Sequence, residues 1–391
     1  MATTREQMRR WQGPAVLSYG FRPFFLAGGL WAALSMALWL GMMSGSTVLT
    51  PAVDPISWHA HELLFGYLGA VVAGFLLTAV PNWTGRLPVV GWPLLALTLL
   101  WGAGRVAMAL GALWPPVWVG LIDTAFLAAM ALFLAREIAT GRNWRNLVVL
   151  ALLLALLAAN ALFHLAAAAA AGLRLGLAAA ILLIAVIGGR VVPSFTRNWL
   201  VREGDPRRPA PPMQGFDRLA LLALLAALLL WVARPEARIA GLALLAAGAL
   251  HAGRLLRWQG ITTRAEPLVW VLHLAYAFVP LGALGLGTAL LQESTPLATA
   301  SLHVWTVGAI GMMTLAVMTR ATLGHTGAAL HAGPATTALY LAIPAAVICR
   351  AAAALGAAPD LLYTLSGGLW IAAFLGFALL YGPRLMRRAA S

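Results

Sequence analysis

The sequence predicts an all-α polytopic membrane protein with about twelve transmembrane helices and both termini in the cytoplasm. Hydrophobic residues make up 62% of the 391 residues and charged residues only 10%, which leaves more apolar surface than a soluble domain of this size can bury. Apolar runs of about 20 residues, the length that crosses a bilayer, recur along the whole chain. The arginines also divide unequally between the two sides that these runs define.

Twelve apolar runs are long enough to be spans, and turn-forming residues such as Gly91-Trp92-Pro93 and Gly333-Pro334 separate them. The first run follows Arg5, Arg9 and Arg10, as in a signal peptide, but it is longer than a typical signal core, so we interpret it as a retained span. The runs are residues 24–43, 58–80, 92–112, 115–136, 146–170, 173–192, 216–233, 237–256, 267–291, 299–322, 335–356 and 361–382.

The positions of the arginines predict the orientation of the chain. With a cytoplasmic N-terminus, most arginines fall at inner span ends and in inner loops, and the outer ends hold only Arg174, Arg234, Arg238 and Arg350. The chain is then one membrane domain, residues 1–391. Its first six spans lie in residues 1–200, a Pro-rich cytoplasmic linker covers 201–215, and the last six spans lie in 216–391.

The net charge and the cysteine content exclude several classes of function. The formal charge is +14 and all 26 basic residues are arginine, but they are dispersed at span ends, which indicates contact with anionic lipid headgroups of the bilayer and no nucleic-acid partner. Cys349 is the only cysteine. An intrachain disulfide, a cysteine-rich metal site and a covalently attached haem are therefore excluded.

The second span opens with three ionisable residues, His59, His61 and Glu62, inside the run Trp58-His59-Ala60-His61-Glu62. Ionisable groups in a bilayer are costly and indicate a functional site by default. Asp123 is a further acidic group within a span. The predicted topology places His59, His61, His164 and His303 toward the outer side, His251 and His273 deeper, and His325 and His331 near an inner loop.

Residues two apart on a helix lie about 200° apart around its axis, so His59 and His61 would serve two adjacent centres, or one would bind a ligand while the other forms a hydrogen bond. His61 and His303 share a local pattern, because glycines follow each of them at offsets of five and eight. Small residues there either allow a flat macrocycle to approach the backbone or allow close helix packing.

Six stretches of the chain carry a family resemblance and cover it except for its last two spans. They are Gly20-Phe21-Arg22-Pro23-Phe24-Phe25; Trp58-His59-Ala60-His61-Glu62-Leu63-Leu64-Phe65-Gly66; Gly74-Phe75-Leu76-Leu77-Thr78-Ala79-Val80-Pro81-Asn82-Trp83-Thr84-Gly85; Gly189-Arg190-Val191-Val192-Pro193-Ser194-Phe195-Thr196-Arg197-Asn198-Trp199-Leu200; Leu272-His273-Leu274-Ala275-Tyr276; and the region from His303 to Gly327. Together they resemble the NnrS family of bacterial membrane proteins. The resemblance implies a haem- and copper-containing protein of the bacterial inner membrane that is linked to nitric oxide metabolism and nitrosative stress.

A weaker, architectural similarity is to the catalytic subunits of haem–copper oxidases and nitric oxide reductases, which also carry haem-ligating histidines on spans two and ten. His61 and His303 occupy similar positions here. Span six lacks a His-Pro-x-x-Tyr run and span seven lacks a histidine pair. These departures argue against dioxygen reduction and against oxidase-style nitric oxide reduction.

We therefore expect His61 and His303 to hold haem b as axial ligands. A subset of His59, His164 and His273 is expected to bind copper. The alternative for each histidine is a hydrogen bond across the helix bundle. Arg105 and Arg190 are expected to pair with haem propionates or with acidic side chains, unless they simply extend to the membrane surface. Glu62 and Tyr276 are expected to support the ligands, Glu62 by orienting an imidazole or relaying protons.

Three functions remain open at this point. The first is a redox or gas-handling protein that acts on nitric oxide with an unknown electron donor. The second is a twelve-span secondary transporter of a small solute or a metal, in which Glu62 and His61 would relay protons. The third is a passive assembly factor or a partner of a sensor.

Overall fold

The computed structural model describes residues 11–46 and 49–388, so Arg5, Arg9 and Arg10 lie outside the described residues. Within these ranges the chain is all-α and contains no strand. Twelve helices are long and apolar enough to cross a membrane, which confirms the predicted fold class. They are α1 (Phe21–Met43), α2 (Pro55–Thr84), α3 (Trp92–Ala109), α4 (Pro116–Thr140), α5 (Trp144–Phe163), α6 (Ala166–Arg202), α7 (Gly215–Ala233), α8 (Arg238–Leu256), α9 (Pro267–Leu291), α10 (Thr295–His325), α11 (Pro334–Ala354) and α12 (Pro359–Met386).

The boundaries of α2 follow from local capping chemistry. Asp54 accepts hydrogen bonds from the backbone N–H groups of Ile56 and Ser57, both at 3.0 Å, and Pro55 occupies the first helical position. These hydrogen bonds hold the pKa of the Asp54 carboxyl below its usual value. At the other end Gly85 adopts a φ of 70°, in the left-handed region where a side chain would be strained.

Two of the spans change their helical winding directly after a histidine. In α2 the residues Glu62–Tyr67, which follow His61, are π-helical, and in α10 the residues Val304–Met312, which follow His303, are π-helical as well. Such segments are rare in proteins and occur frequently at functional sites. The sequence pattern that His61 and His303 share thus corresponds to a shared backbone feature.

Three spans are distinguished by their length and burial. Helices α2, α6 and α10 contain 30, 37 and 31 residues, and 72%, 78% and 72% of their most apolar windows are buried. The corresponding share is between 28% and 56% in the other nine. A helix that is apolar all round is expected in the interior of a bundle, and the ionisable residues of α2 therefore lie inside protein.

The described chain divides into two compact units. The first unit comprises Met1–Gly176, Ala321–Ala329 and Phe374–Ser391, and the second comprises Leu177–Arg320 and Leu330–Ala373. Between α6 and α7 the chain contains no helix at residues 203–214. The division into six-span halves at residues 201–215 and the oxidase-like helix arrangement remain predictions.

Arg22, from the motif near the N-terminus, caps the last helix of the chain within the first unit. Its Nη1 donates hydrogen bonds to the backbone carbonyls of Arg384, Leu385 and Arg387 at 3.1, 3.0 and 2.8 Å. The last carbonyls of a helix have no partner within the helix, so a buried guanidinium satisfies them. The two described chain ends therefore meet, while their cytoplasmic location remains a prediction.

Candidate metal centre

His61 lies at the centre of a buried polar cluster in the first unit. Its side chain is fully buried, and both ring nitrogens face oxygen atoms. Nδ1 is 3.0 Å from Oε1 of Glu62, and Nε2 is 3.0 Å from Oδ2 of Asp123 and 2.9 Å from Oδ1 of Asn160. Three helices, α2, α4 and α5, bring these groups together.

Asp123 connects the two histidines of the cluster. Its Oδ2 lies 3.0 Å from Nε2 of His61 and also 3.0 Å from Nε2 of His164, which follows the end of α5. Its Oδ1 accepts a hydrogen bond from Nη2 of Arg105 on α3. Gly120, one turn before Asp123, gives His164 room, because a Cβ there would lie 3.2 Å from the histidine side chain.

Arg105 fixes both carboxylates of the cluster. Its Nη1 lies 2.7 Å from each carboxylate oxygen of Glu62. Gly66, in the π-helical segment of α2, makes this contact possible, because a Cβ at that position would lie 2.4 Å from Nη1 of Arg105. Trp31 donates a further hydrogen bond to Oε2 of Glu62 at 2.8 Å. Glu62 in turn is oriented toward Nδ1 of His61.

A neutral His61 has one hydrogen-bond donor too few for the two carboxylates that face its ring nitrogens. Ionised carboxylates only accept hydrogen bonds, and a neutral imidazole carries a single N–H. That N–H satisfies either Glu62 or Asp123 and leaves a lone pair facing the other carboxylate. Turning the amide of Asn160 does not remove this conflict, since Asp123 still faces Nε2. A second proton on His61, or a cation beside Nε2, resolves it.

A count of the charges leads to the same conclusion independently. Glu62 and Asp123 contribute two carboxylates, and Arg105 contributes the only guanidinium that pairs with them among the described residues. One negative charge is left in excess in a region where all three side chains are buried. Unbalanced buried charge is strongly unfavourable, so the cluster requires one more positive charge, either a proton or a metal ion.

The positions of the donor atoms suit a metal ion. His61, Asp123 and His164 each offer one ligand atom, and these three atoms lie within 4.8 Å of one another. Metal–ligand distances of about 2.0–2.2 Å place neighbouring ligand atoms roughly 2.8–3.6 Å apart, and the two 3.0 Å separations from Oδ2 of Asp123 fall within this range. Two imidazoles and one carboxylate suit copper, zinc or iron(II). The His164 side chain is 14% exposed, so the group of donor atoms is not completely enclosed at this histidine.

The comparison with known protein families identifies the chain. The family model described as NnrS protein matches residues 15–388. The chain belongs to the NnrS family. The comparison with individually curated proteins finds no match. Membership supports a multi-pass membrane protein of the nitric oxide response, and the resemblance predicted from the motifs is confirmed.

In this NnrS-family protein, the first unit brings together four of the predicted site residues. His61, Glu62, Arg105 and His164 belong to one cluster, although the sequence predicts separate haem, copper and supporting roles for them. His59 lies apart, with its ring stacked on Trp39 at 4.2 Å. Arg105 contacts acidic side chains, which is one of the two alternatives expected for it.

Asp123 and Asn160 were not predicted as site residues. Asp123 carried a usable signal, since it is a carboxylate within an apolar span. Asn160 carried no signal that distinguishes it from an amide that packs between helices.

The other predicted site residues lie in the second unit. Nδ1 of His303 is 2.7 Å from the carbonyl of Thr299 and donates to it, which leaves the Nε2 lone pair for a ligand. Nε2 of His273 lies 2.8 Å from Oγ1 of Thr196. Arg190 lies on α6, where its carbonyl accepts a hydrogen bond from Ser194 at 2.6 Å. The haem and copper roles of these residues remain predictions.

The glycines after His303 serve close packing. A Cβ on Gly308 would lie 2.5 Å from the ring of Phe278, and a Cβ on Gly311 would lie 2.5 Å from the ring of Trp370. Protein side chains therefore fill the space that these glycines leave. For the glycines after His303, helix packing is therefore the explanation that the described contacts support.

Tyr276 belongs to a second buried network, which surrounds Arg254 on α8. The Tyr276 hydroxyl accepts from Nη1 of Arg254 at 2.8 Å and lies 2.8 Å from Nδ1 of His251. Nε2 of His251 lies 3.0 Å from the carbonyl of Ala220 and must donate to it, so Tyr276 donates its hydroxyl proton to Nδ1. Arg254 also donates from Nε to Asp217 at 2.6 Å. Nη1 of Arg257 also lies 4.0 Å from Oδ2 of Asp217, so this network has no excess of carboxylates and needs no further cation.

Proposed function

We propose that this NnrS-family protein binds copper at His61, Asp123 and His164 and uses the site to protect the cell against nitric oxide. The observation that carries the proposal is the excess negative charge at a cluster that also offers two imidazole nitrogens. The family supplies the link to nitric oxide. Copper accepts imidazole and carboxylate ligands. The copper that the family resemblance implies therefore suits the two imidazoles and one carboxylate of this cluster.

The residues around the proposed ion each have a definable task. Glu62 faces Nδ1 of His61 and thereby directs Nε2 toward the ion, as carboxylates commonly do for metal-binding imidazoles. Arg105 holds Glu62 and Asp123 apart at fixed positions. A bound copper ion would supply an open coordination position and one-electron chemistry. Nitric oxide is small, neutral and lipid-soluble, so it reaches a site within the bilayer without a polar channel.

Haem b, which the family resemblance implies, fits His61 poorly. Both ring nitrogens of His61 already face carboxylates, and the rings of Phe65 and Phe163 enclose it at 5.1 and 4.5 Å. Its hydrogen bonds would have to be exchanged before it could ligate iron. Nδ1 of His303 donates to the carbonyl of Thr299, which leaves the Nε2 lone pair for a ligand, and we propose His303 as the haem ligand of the second unit.

Metal analysis of the purified protein tests the copper proposal. After expression with added copper, we expect about one copper per chain in the native protein and in His331→Gln, because the His331 side chain is 69% exposed and lies outside the cluster. His164→Gln removes one ligand and should reduce the copper content to near zero. Equal copper in His164→Gln and His331→Gln would contradict the proposal.

An optical spectrum tests the haem proposal separately. Haem-replete protein should show a Soret band that His303→Gln abolishes or shifts and that His164→Gln leaves in place. Absence of the band from the native protein, or a band unchanged in His303→Gln, would exclude the role proposed for His303.

Proton-coupled transport is a second candidate, because a proton balances the excess charge of the His61 cluster as well as a metal does. Twelve spans are typical of secondary transporters. Purified protein in liposomes would then move a metal or a small solute in response to a pH gradient. Flux that Asp123→Asn abolishes, in protein that contains no bound metal, would favour transport over the copper proposal.

A further inference from the structure

Arg350, in the second unit, forms no ion pair with an acidic side chain among the described residues. It lies on α11, one turn before the end of that helix at Ala354. The ion pairs of the described residues in this unit involve Arg202, Arg207, Arg254, Arg257 and His331 and do not include Arg350. Its Nη1 is buried and has no hydrogen-bond partner. An uncompensated guanidinium with a buried, unsatisfied donor is unfavourable within a membrane protein.

Tyr363 lies beside Arg350 and contributes a hydroxyl group, and no carboxylate pairs with the guanidinium among the described residues. The guanidinium lies 4.5 Å from the ring centroid of Tyr363, in the first turns of α12, and forms a side-chain hydrogen bond with it. Asp360 is exposed and forms no ion pair with Arg350 among the described residues.

We propose that Arg350, with Tyr363 beside it, forms a binding site for an oxyanion. A guanidinium presents a planar fork of N–H donors that matches the oxygens of nitrite, nitrate or phosphate. Such a ligand satisfies Nη1 and neutralises the charge at once. The oxyanion is either a small free anion or the phosphate group of a phospholipid, since both present the same chemistry. The site is independent of the copper proposal, because it lies in the other unit.

Two binding measurements on full-length protein distinguish these sources. In the first, protein freed of lipid in a maltoside detergent is titrated calorimetrically with nitrite, nitrate and inorganic phosphate. In the second, phosphatidylglycerol is added and native mass spectrometry counts the lipids retained. Arg350→Gln removes the charge, and Arg238→Gln is the matched control because Arg238 is an exposed arginine of the same unit.

We expect saturable binding at one site in at least one of the two measurements, weakened about tenfold or more by Arg350→Gln and unchanged by Arg238→Gln. Binding of the small anions identifies a free ligand, and retention of phosphatidylglycerol alone identifies a lipid phosphate. If Arg350→Gln fails to fold, Arg350→Lys should bind more weakly than the native protein, because it keeps the charge and loses the fork. Absence of saturable binding in both measurements, or equal binding by the native protein and the Arg350 variants, overturns the proposal.

Discussion

Nε of Arg254 donates a hydrogen bond to Oδ1 of Asp217 at 2.6 Å, and both side chains are buried. This pair balances its own charge. The cluster around His61 contains the same kinds of groups but carries one carboxylate more than it has guanidinium groups. Substitutions in the Arg254 network should therefore change stability alone, whereas substitutions in the His61 cluster should change metal content.

Asp217→Asn should destabilise the protein and leave its copper content unchanged. The substitution leaves Arg254 buried without a counter-charge, and loss of one partner from a buried ion pair costs about 3–5 kcal/mol. Thermal unfolding of the purified protein should show a lower midpoint than the native protein, while metal analysis gives the same stoichiometry. A lower copper content in folded Asp217→Asn would contradict the assignment of this network to stability.

Asp123→Asn should have the opposite result. The amide removes the excess negative charge, and Glu62 still pairs with Arg105, so the metal-free protein should unfold at a temperature close to that of the native protein. Copper should be lost, because one ligand atom and the net attraction for a cation are both removed. The check is copper content and thermal midpoint measured on the same preparation, with Asp217→Asn beside it. Retained copper would show that Asp123 is not a ligand.

Gly189→Ala should destabilise the second unit through Arg254. A Cβ on Gly189 would lie 2.1 Å from Nη2 of Arg254, so the guanidinium would have to leave its partners. Gly368→Ala in α12 is the control, because a Cβ there meets nothing within 4 Å. We expect Gly189→Ala to lower the free energy of unfolding by several kcal/mol and Gly368→Ala to change it little. The difference is measured as a shift in the thermal unfolding midpoint. Equal midpoints would show that Arg254 moves without cost.

Tyr19→Phe should alter the response of the protein to alkaline pH. Burial raises the pKa of Tyr19 to about 12, and its hydroxyl donates to the carbonyl of Thr78 at 3.1 Å. The usual pKa of tyrosine is about 10. The folded state therefore holds this proton more tightly, and the resulting stability is complete below about pH 10 and lost as the pH rises toward 12. Thermal midpoints between pH 8 and 12 should fall less steeply for Tyr19→Phe than for the native protein, and parallel curves would contradict the prediction.

The twelve spans could be predicted from the sequence because the length of an apolar run is a local property. The membership of the His61 cluster could be predicted from the sequence only in part. His61, Glu62, Arg105 and His164 stand out because they are ionisable groups in or at the end of apolar helices. Their meeting in one cluster could not be predicted. The sequence gives the position of each residue along its span, but it does not give the direction in which the side chain points.

The sequence by itself determined which segments are long apolar helices, which family the chain belongs to and which ionisable residues lie in or next to those helices. Only the tertiary structure decided that Asp123 meets both His61 and His164, that Arg105 spans two carboxylates and that Asn160 joins them. The physical reason is that pairing across helices depends on the rotation of each helix about its axis. In α2 a π-helical segment follows His61 directly, and it changes the direction in which later side chains point relative to a regular α-helix.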